Sequence, residues 1–339
     1  MGITDPLTAL HGLPAFTFPH SDETVTLPEP DAVAWRITSY WDPPAYGLSR
    51  IEDLWETSFI RFCAAVDTTR VHALIIGAWG DADDTDPSEA IGLLLAVRDR
   101  FPALRAIFVG DITTEDCQIQ SISQTDVTPL LAGFPALEEL GVRAGEGSGY
   151  ASAEDTALHF RLEFPALRHD GLRRLTVQSA GLRGAMVRGL GASELPALEH
   201  LELWLGMECY GGDSKIADLE AILSGTRLPR LRHLALRNSE IQDDVAAALA
   251  SAPVVPQLKV IDLSLGELSD DGGAALLGGQ PLTHLSKLDL HHNFLSEPTR
   301  QRIRETLEPA GVEVNLDPDG AEEWVDGNGT VHRGCAVFD

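Results

Sequence analysis

The pattern L-x-x-L-x-L, with Val or Ile substituting for Leu, recurs eight times in this chain, beginning at Val71, Leu104, Leu137, Leu172, Leu198, Leu231, Leu258 and Leu285. Successive starts lie 33, 33, 35, 26, 33, 27 and 27 residues apart. Self-similarity at such a period means stacked copies of one supersecondary unit, each unable to bury its apolar face alone. Within each copy apolar and polar positions alternate, which predicts a short strand with one face in the core. Leu74 and Ile76 point one way, while Ala73, Ile75 and Gly77 point the other.

A helix-like stretch follows each strand. These are DPSEAIGLLLAVRDRF, QTDVTPLLAGF, EDTALHFRLEF, GAMVRGLGASEL, KIADLEAILSGTRL, QDDVAAALASAP, SDDGGAALLGGQ and SEPTRQRIRETLEPAG. Ser269 and Ser296 stand where N-caps are expected. FPAL at Phe101 and Phe134, LPAL at Leu195 and LPRL at Leu228 place Pro where a helix must end and the next strand begin. The predicted fold class is therefore α/β, an open horseshoe solenoid with parallel strands on its concave face and helices on its convex face. Residues 71–316 form about eight such units. Residues 1–70, with a strand in AVAWRIT and an amphipathic helix in RIEDLWETSFIRFCAAV, read as an irregular N-terminal cap. GVEVNL reads as a last short strand, and residues 317–339 as an acidic tail or a capping hairpin turning at 326–329.

Charge bounds the partners. Fifty-two acidic residues against 25 Lys and Arg give a formal net charge of −27. Such a field repels nucleic acid and anionic membrane surfaces and steers basic partners inward. Cys63, Cys117, Cys209 and Cys335 are too scattered for a C-x-x-C pair and read as reduced thiols. The N-terminal MGITDPLTALHGLPAF lacks the basic-then-apolar plan of a signal peptide, so the expected location is cytoplasmic. The three lysines, amid abundant Arg, Ala, Gly and Leu, point to a GC-rich bacterial genome.

LSKLDLHHNFL, with Asn293 in ninth place of L-x-x-L-x-L-x-x-N-x-L, resembles the leucine-rich-repeat superfamily over roughly residues 71–316. The longer, helix-bearing units resemble its ribonuclease-inhibitor-like branch. The segments AVAWRI, GAWG, LELWLG and YGGD resemble uncharacterised bacterial cytosolic proteins of this type. The resemblance implies a horseshoe fold and a binding role.

Aligning the units on their first apolar position puts positions three, five and seven on the concave face. The fifth-position row reads Ile75, Phe108, Gly141, Thr176, Glu202, Ala235, Asp262, Asp289. The seventh reads Gly77, Gly110, Arg143, Gln178, Trp204, Arg237, Ser264, His291. The first repeats make an apolar, glycine-lined zone and the later ones a charged zone of mixed sign. Trp204, beside Glu202 and Arg237, has two readings: an outward hot-spot aromatic, which alanine could replace with little harm to folding, or a partly buried one. The surplus residues of the long repeats fall just after their strands, which predicts a rim of loops past Trp79, Asp81, Asp111, Tyr150 and Tyr210. The expected partner-binding set is Trp79, Asp81, Asp111, Arg143, Tyr150, Glu202, Trp204, Tyr210, Arg237, Asp262, Asp289 and His291.

No motif of catalysis or cofactor binding emerges. His291 and His292, successive on a strand, should face opposite ways and not converge on a metal with Asp262 and Asp289. DADDTD lacks the Gly and Glu of a calcium loop, and GEGSGY lacks the third glycine of a dinucleotide fingerprint. The expectation is a protein- or peptide-binding scaffold, not an enzyme, with no cofactor or metal and a basic protein partner. The alternative is an enzyme or a small-molecule or metal binder using the histidines and carboxylates of the later repeats.

Overall fold

The structure is a computed structural model that describes all residues except 1–2, 43–49, 146–160, 322, 326, 329–330 and 338–339, and the side chains of 40–42, 50–53 and 331 are also outside the description. The described chain forms two compact units, Ile3–Phe164 and Pro165–Asp339.

In the N-terminal unit, β1 (Ala9–Leu10) and β2 (Leu13–Thr17) form a hairpin pairing Leu10 with Leu13. The two-residue turn, His11 and Gly12, has positive φ at both positions, as a type I′ turn requires. Parallel pairing then runs from β2 to β3 (Ala34–Ile37), and a separate hairpin joins β4 (Tyr40–Asp42) to β5 (Arg50–Asp53). Helix α1 (Trp55–Ala65) precedes β6 (Ala73–Ile76), α2 (Ser88–Ala96), β7 (Ala106–Val109), α3 (Thr128–Gly133) and β8 (Glu139–Ala144). Strands β3, β6, β7 and β8 pair in parallel and in order.

The C-terminal unit repeats the same plan. Strands β9 (Arg174–Ser179), β10 (His200–Gly206), β11 (His233–Ser239), β12 (Val260–Asp262), β13 (Lys287–Asp289) and β14 (Glu313–Asn315) pair in parallel and in sequence order. Between them lie α4 (Gly184–Ala192), α5 (Ile216–Leu223), α6 (Gln242–Leu249), α7 (Asp270–Gly278) and α8 (Glu297–Leu307), each helix packed on the next. A last hairpin pairs β15 (Trp324–Val325) with β16 (Val331–His332). The helix expected in EDTALHFRLEF falls mostly outside the described residues. Among the described residues no helix is long and apolar enough to cross a membrane.

The repeat pattern sets this geometry. All eight repeat strands begin two residues after the first apolar position, and that position is buried in every copy, Leu285 being the most exposed at 4%. The fourth-position residues, such as Leu74, Leu175 and Leu288, are wholly buried. Each such Leu, Ile or Val contributes about 1.5–3 kcal/mol relative to exposure, so the three stacked rows hold the repeats together. The first apolar residue also closes a turn: the N–H groups of Leu104, Leu137, Leu198 and Leu231 donate to the carbonyls of Phe101, Phe134, Leu195 and Leu228 at 2.9–3.2 Å. Pro occupies the second place in each turn, where its fixed φ fits.

Ser269 caps α7, its hydroxyl accepting from the N–H of Asp271, whereas Ser296 stands at the N-cap of α8 without accepting a backbone N–H. Asn293 accepts from the N–H of Leu268 at 2.9 Å and donates to the carbonyls of Leu263 and Leu290 at 2.9 and 3.1 Å, which ties neighbouring turns together.

The open sheet face as candidate functional site

The two units treat the odd-numbered strand positions differently. In the N-terminal unit the segment that includes β1 lies over them. Leu10 packs with Ala34, Ala73, Ile75, Ala106 and Phe108 in one apolar cluster, with Leu7, Leu13 and Ala15 at its edge. Gly141 belongs to the same row, and a Cβ there would fall 2.2 Å from the Phe108 ring, so the glycine makes room for the aromatic. The apolar positions of the first repeats are thus covered by the chain's own residues.

Asp111, expected on the rim, and Arg143, expected on the concave face, are both buried. The Asp111 carboxylate accepts from the N–H of Leu7 at 3.0 Å and from Arg36 Nε at 2.7 Å, with Arg143 Nη2 at 3.7 Å. Arg143 donates to the Ile112 carbonyl and lies over the Phe108 ring. Burial lowers its guanidinium to about 10, with Asp111 acting in the opposite sense. The loops after β6 and β7 have a small core of their own, in which Ala82, Ile112 and Ile122 pack with Trp79 and Cys117 at the edge. Trp79 donates from Nε1 to the Thr85 carbonyl at 2.8 Å, and Asp81 is exposed. Tyr150 lies outside the described residues.

In the C-terminal unit His200, His233, Lys287, Thr176, Glu202, Arg237 and His291 remain half-exposed, whereas Trp204, Ala235, Asp262, Ser264 and Asp289 are buried. Pairing places His200, His233, Val260, Lys287 and Glu313 in one row and Thr176, Glu202, Ala235, Asp262, Asp289 and Asn315 in the next, with Trp204 opposite Arg237. Both signs occur in these rows, and like charges also meet, Asp262 standing opposite Asp289. Arg237 donates to Glu202 Oε1 at 3.0 Å and to Ser264 Oγ at 2.8 Å, and its Nε lies 3.3 Å from Asp262 Oδ2. Asp289 pairs with Lys287 at 3.1 Å and with His291 Nδ1 at 2.7 Å. His292 is buried and His291 half-exposed.

Trp204 is not an outward anchor. Its indole N–H donates to Glu202 Oε1 at 2.7 Å, the Arg237 guanidinium stands 5.6 Å above the ring, and only 7% of the residue is exposed. Tyr210, on the short turn after β10, is half-buried.

Electrostatics follow from the packing. Burial opposes ionisation of Glu202, yet His200, Arg237 and the Trp204 N–H together hold its carboxyl down at about 2. Burial likewise opposes ionisation of Asp289, but His291 and Lys287 lower it well below the usual carboxylate range. Asp262 moves the other way, raised by burial against the pull of Arg237. His200 and His233 stack with ring centroids 3.9 Å apart, and burial, then the His200 charge, lowers His233 to about 4.

An unfolded chain takes up a proton on this histidine near pH 6.5, while the folded chain refuses it until about pH 4. Stability is therefore full above pH 6.5 and falls as the pH drops through that window, by at most about 3 kcal/mol from this group. Urea midpoints measured from pH 7 to 4.5 should decline less in His233→Gln than in the unaltered chain. Parallel declines would contradict the assignment.

Sequence reasoning missed two functional-looking features of this unit. Asn238 is fully buried, and its side chain holds the backbone of Val337. Leu265 has a φ of +67°, which a bulky residue seldom adopts. The reach of the tail back to them leaves no trace in the repeat pattern.

No family model and no curated sequence matches the chain. Among solved structures it is similar to a Bacteroides fragilis protein determined as a structural-genomics target, with 25% identity and a TM-score of 0.67 over 76% of this chain and 69% of that one. An internalin from Listeria monocytogenes aligns with 12% identity and a TM-score of 0.28 over 72% of each chain, too loose a likeness to bear on fold or function. The buried apolar rows, the in-register parallel strands and the helix after each repeat make the fold an α/β leucine-rich-repeat solenoid.

Proposed function

We propose that this chain is a protein- or peptide-binding scaffold whose principal contact surface is the odd-position face of the C-terminal unit. The observation that carries the reading is the ladder of pre-paired groups from Glu202 across Arg237 and Asp262 to Asp289 and His291, in which Glu202, Arg237 and His291 are half-buried and the two aspartates buried. Side chains already held in ion pairs lose little freedom when a partner docks, which favours binding. The strip spans the five neighbouring strands β9 to β13, an extent that suits a protein surface better than a small substrate.

The reading places Glu202, Arg237, Asp262, Asp289 and His291 at the contact, with Trp204 bracing Glu202 and Arg237 from within. Tyr210 supplies a flanking contact, and Trp79 and Asp81 a separate one on the N-terminal unit. A net charge of −27 steers a partner with a basic surface, while the mixed-sign ladder fixes its register on arrival. The catalytic or metal-binding alternative has less support, because the carboxylates of the strip are engaged with Arg, Lys, Ser and His neighbours. Among the described residues no group of three or more His, Cys, Asp or Glu could hold a metal ion.

The test is affinity capture from a lysate of the native host at low and moderate salt, with the unaltered chain beside a Thr176→Arg, His291→Arg double variant. The His291→Arg change keeps a hydrogen-bond donor beside Asp289, and both changes add bulk and positive charge. A basic protein retained by the unaltered chain should fall by about fivefold or more on the variant, the usual scale of an interface disruption. Equal retention by both would sink the proposal.

A further inference from the structure

Near the ends of β11 and β12, residues Cys335–Val337 are seated in a slot of the C-terminal unit, and the slot grips their backbone. Asn238 Nδ2 donates to the Val337 carbonyl at 2.8 Å, and Asn238 Oδ1 accepts from the Val337 N–H at 2.9 Å. One residue earlier, the Ala336 N–H donates to the Leu265 carbonyl at 2.8 Å. Three hydrogen bonds to two successive residues, none of them to a side chain of the tail, recognise an extended main chain and not a particular sequence.

Selectivity comes from size. Cys335, Ala336 and Val337 are all buried, so the slot encloses three consecutive small or β-branched side chains. Leu265 is held at φ +67° and Asn238 at φ +50°. A bulky residue kept in the left-handed region signals a backbone arranged for a purpose at that point. Here that arrangement presents the Leu265 carbonyl to the tail.

We propose that this slot is a binding site for an extended peptide segment with consecutive small apolar side chains, that Cys335–Val337 occupy it in cis, and that a partner segment of the same chemistry enters by displacing them. Backbone-directed hydrogen bonds with shallow pockets for small side chains are a recurrent mode of peptide capture. The site is distinct from the odd-position face, so its failure would leave that reading untouched.

The probe is a fluorescent, N-acetylated and C-amidated peptide of sequence HRGCAVF, matching residues 332–338, kept reduced. The full chain carrying Ala336→Glu and Val337→Asp, whose own tail can no longer seat, should bind it at least about tenfold more tightly than the unaltered chain, because a tethered segment competes at an effective concentration in the millimolar range. Adding Asn238→Asp to that chain keeps the acceptor but sets an oxygen against the peptide carbonyl, and should weaken binding about tenfold or more. Equal binding by the unaltered and tail-substituted chains, or indifference to Asn238→Asp, overturns the proposal.

A second measurement needs no substitution and so is immune to misfolding of the variants. Hydrogen exchange of the unaltered chain with several millimolar isotopically heavy peptide should deprotect the chain's own Ala336 and Val337 amides. Unchanged protection of those amides would overturn the proposal as well.

Discussion

Asp111→Ala should destabilise the N-terminal unit by about 3–5 kcal/mol, the cost expected when one member of a buried ion cluster is removed and the others stay behind. The carboxylate side chain is wholly buried and lies within reach of both Arg36, 11% exposed, and Arg143, 2% exposed. Without it two guanidiniums face each other in low dielectric, and the Leu7 N–H loses its acceptor. Arg36 Nη2 also donates to the Leu7 carbonyl at 2.5 Å, so the loss reaches the segment that covers the sheet. Asp111→Asn, which keeps the shape but not the charge, should fall between the two. Urea unfolding combined with limited proteolysis checks this: Asp111→Ala should lower the midpoint and expose the bonds around Leu7 and Leu10 to cleavage. A loss below about 1 kcal/mol with the segment still protected would show that the cluster does not hold it down.

Trp204→Ala should cost the C-terminal unit about 3–5 kcal/mol, the range for removing a buried large aromatic. The loss has two parts. A cavity opens beneath Arg237, and Glu202 loses the indole donor that helps keep its carboxyl ionised. The second part has a pH signature. Glu202 sits at about 2 in the folded chain, below its ordinary 4.5, so the stability it contributes is present above pH 4.5 and fades as the pH falls towards 2. Trp204→Phe keeps most of the ring volume but lacks the N–H, so it should recover much of the stability at neutral pH while losing part of that acid-range dependence. Chemical denaturation of the three chains at pH 7 and at pH 3.5 separates the parts. A Trp204→Ala chain as stable as the parent would return the residue to the surface role its position on the strand suggests.

The repeat strands were legible because the rule behind them is local. A residue buried at positions one, four and six of each copy fixes the strand, its facing and, through stacking, its partners, and the strands begin where that rule puts them. The Pro turns were legible for the same reason, since Pro102 or Pro196 constrains only its neighbours. What covers the sheet was not legible. Leu7 meets Asp111 across 104 positions, and Asn238 meets Val337 across 99, with no periodicity to announce either contact. Alternation correctly assigned Trp204 to the same face as Glu202, but facing is not exposure, and the stacked Arg237 decides the latter. One local signal was overlooked, the His11–Gly12 turn between LTAL and LPAF, which marks the β1–β2 hairpin. The apolar Ile112, Ile119 and Ile122 likewise foretold that the insertion after β7 would pack rather than project.

The proposed contact strip does not share the chain's net charge. The strip carries Arg174, Arg237 and Lys287 against Glu202, Asp262, Asp289 and Glu313, close to balance in a chain at −27 overall. On the proposed reading the acidic excess acts through the long-range field, and the strip through pairing at contact distance.

Site-specific photo-crosslinking tests the central claim most directly. A photoreactive phenylalanine analogue is placed at Thr176 or His291 on the odd-position face, or at Glu220 on the exposed side of α5, and each full chain is irradiated in the lysate of its native host. The account predicts a discrete protein adduct from Thr176 and His291 and none from Glu220. Adducts from Glu220 alone, or equally from all three positions, would contradict it.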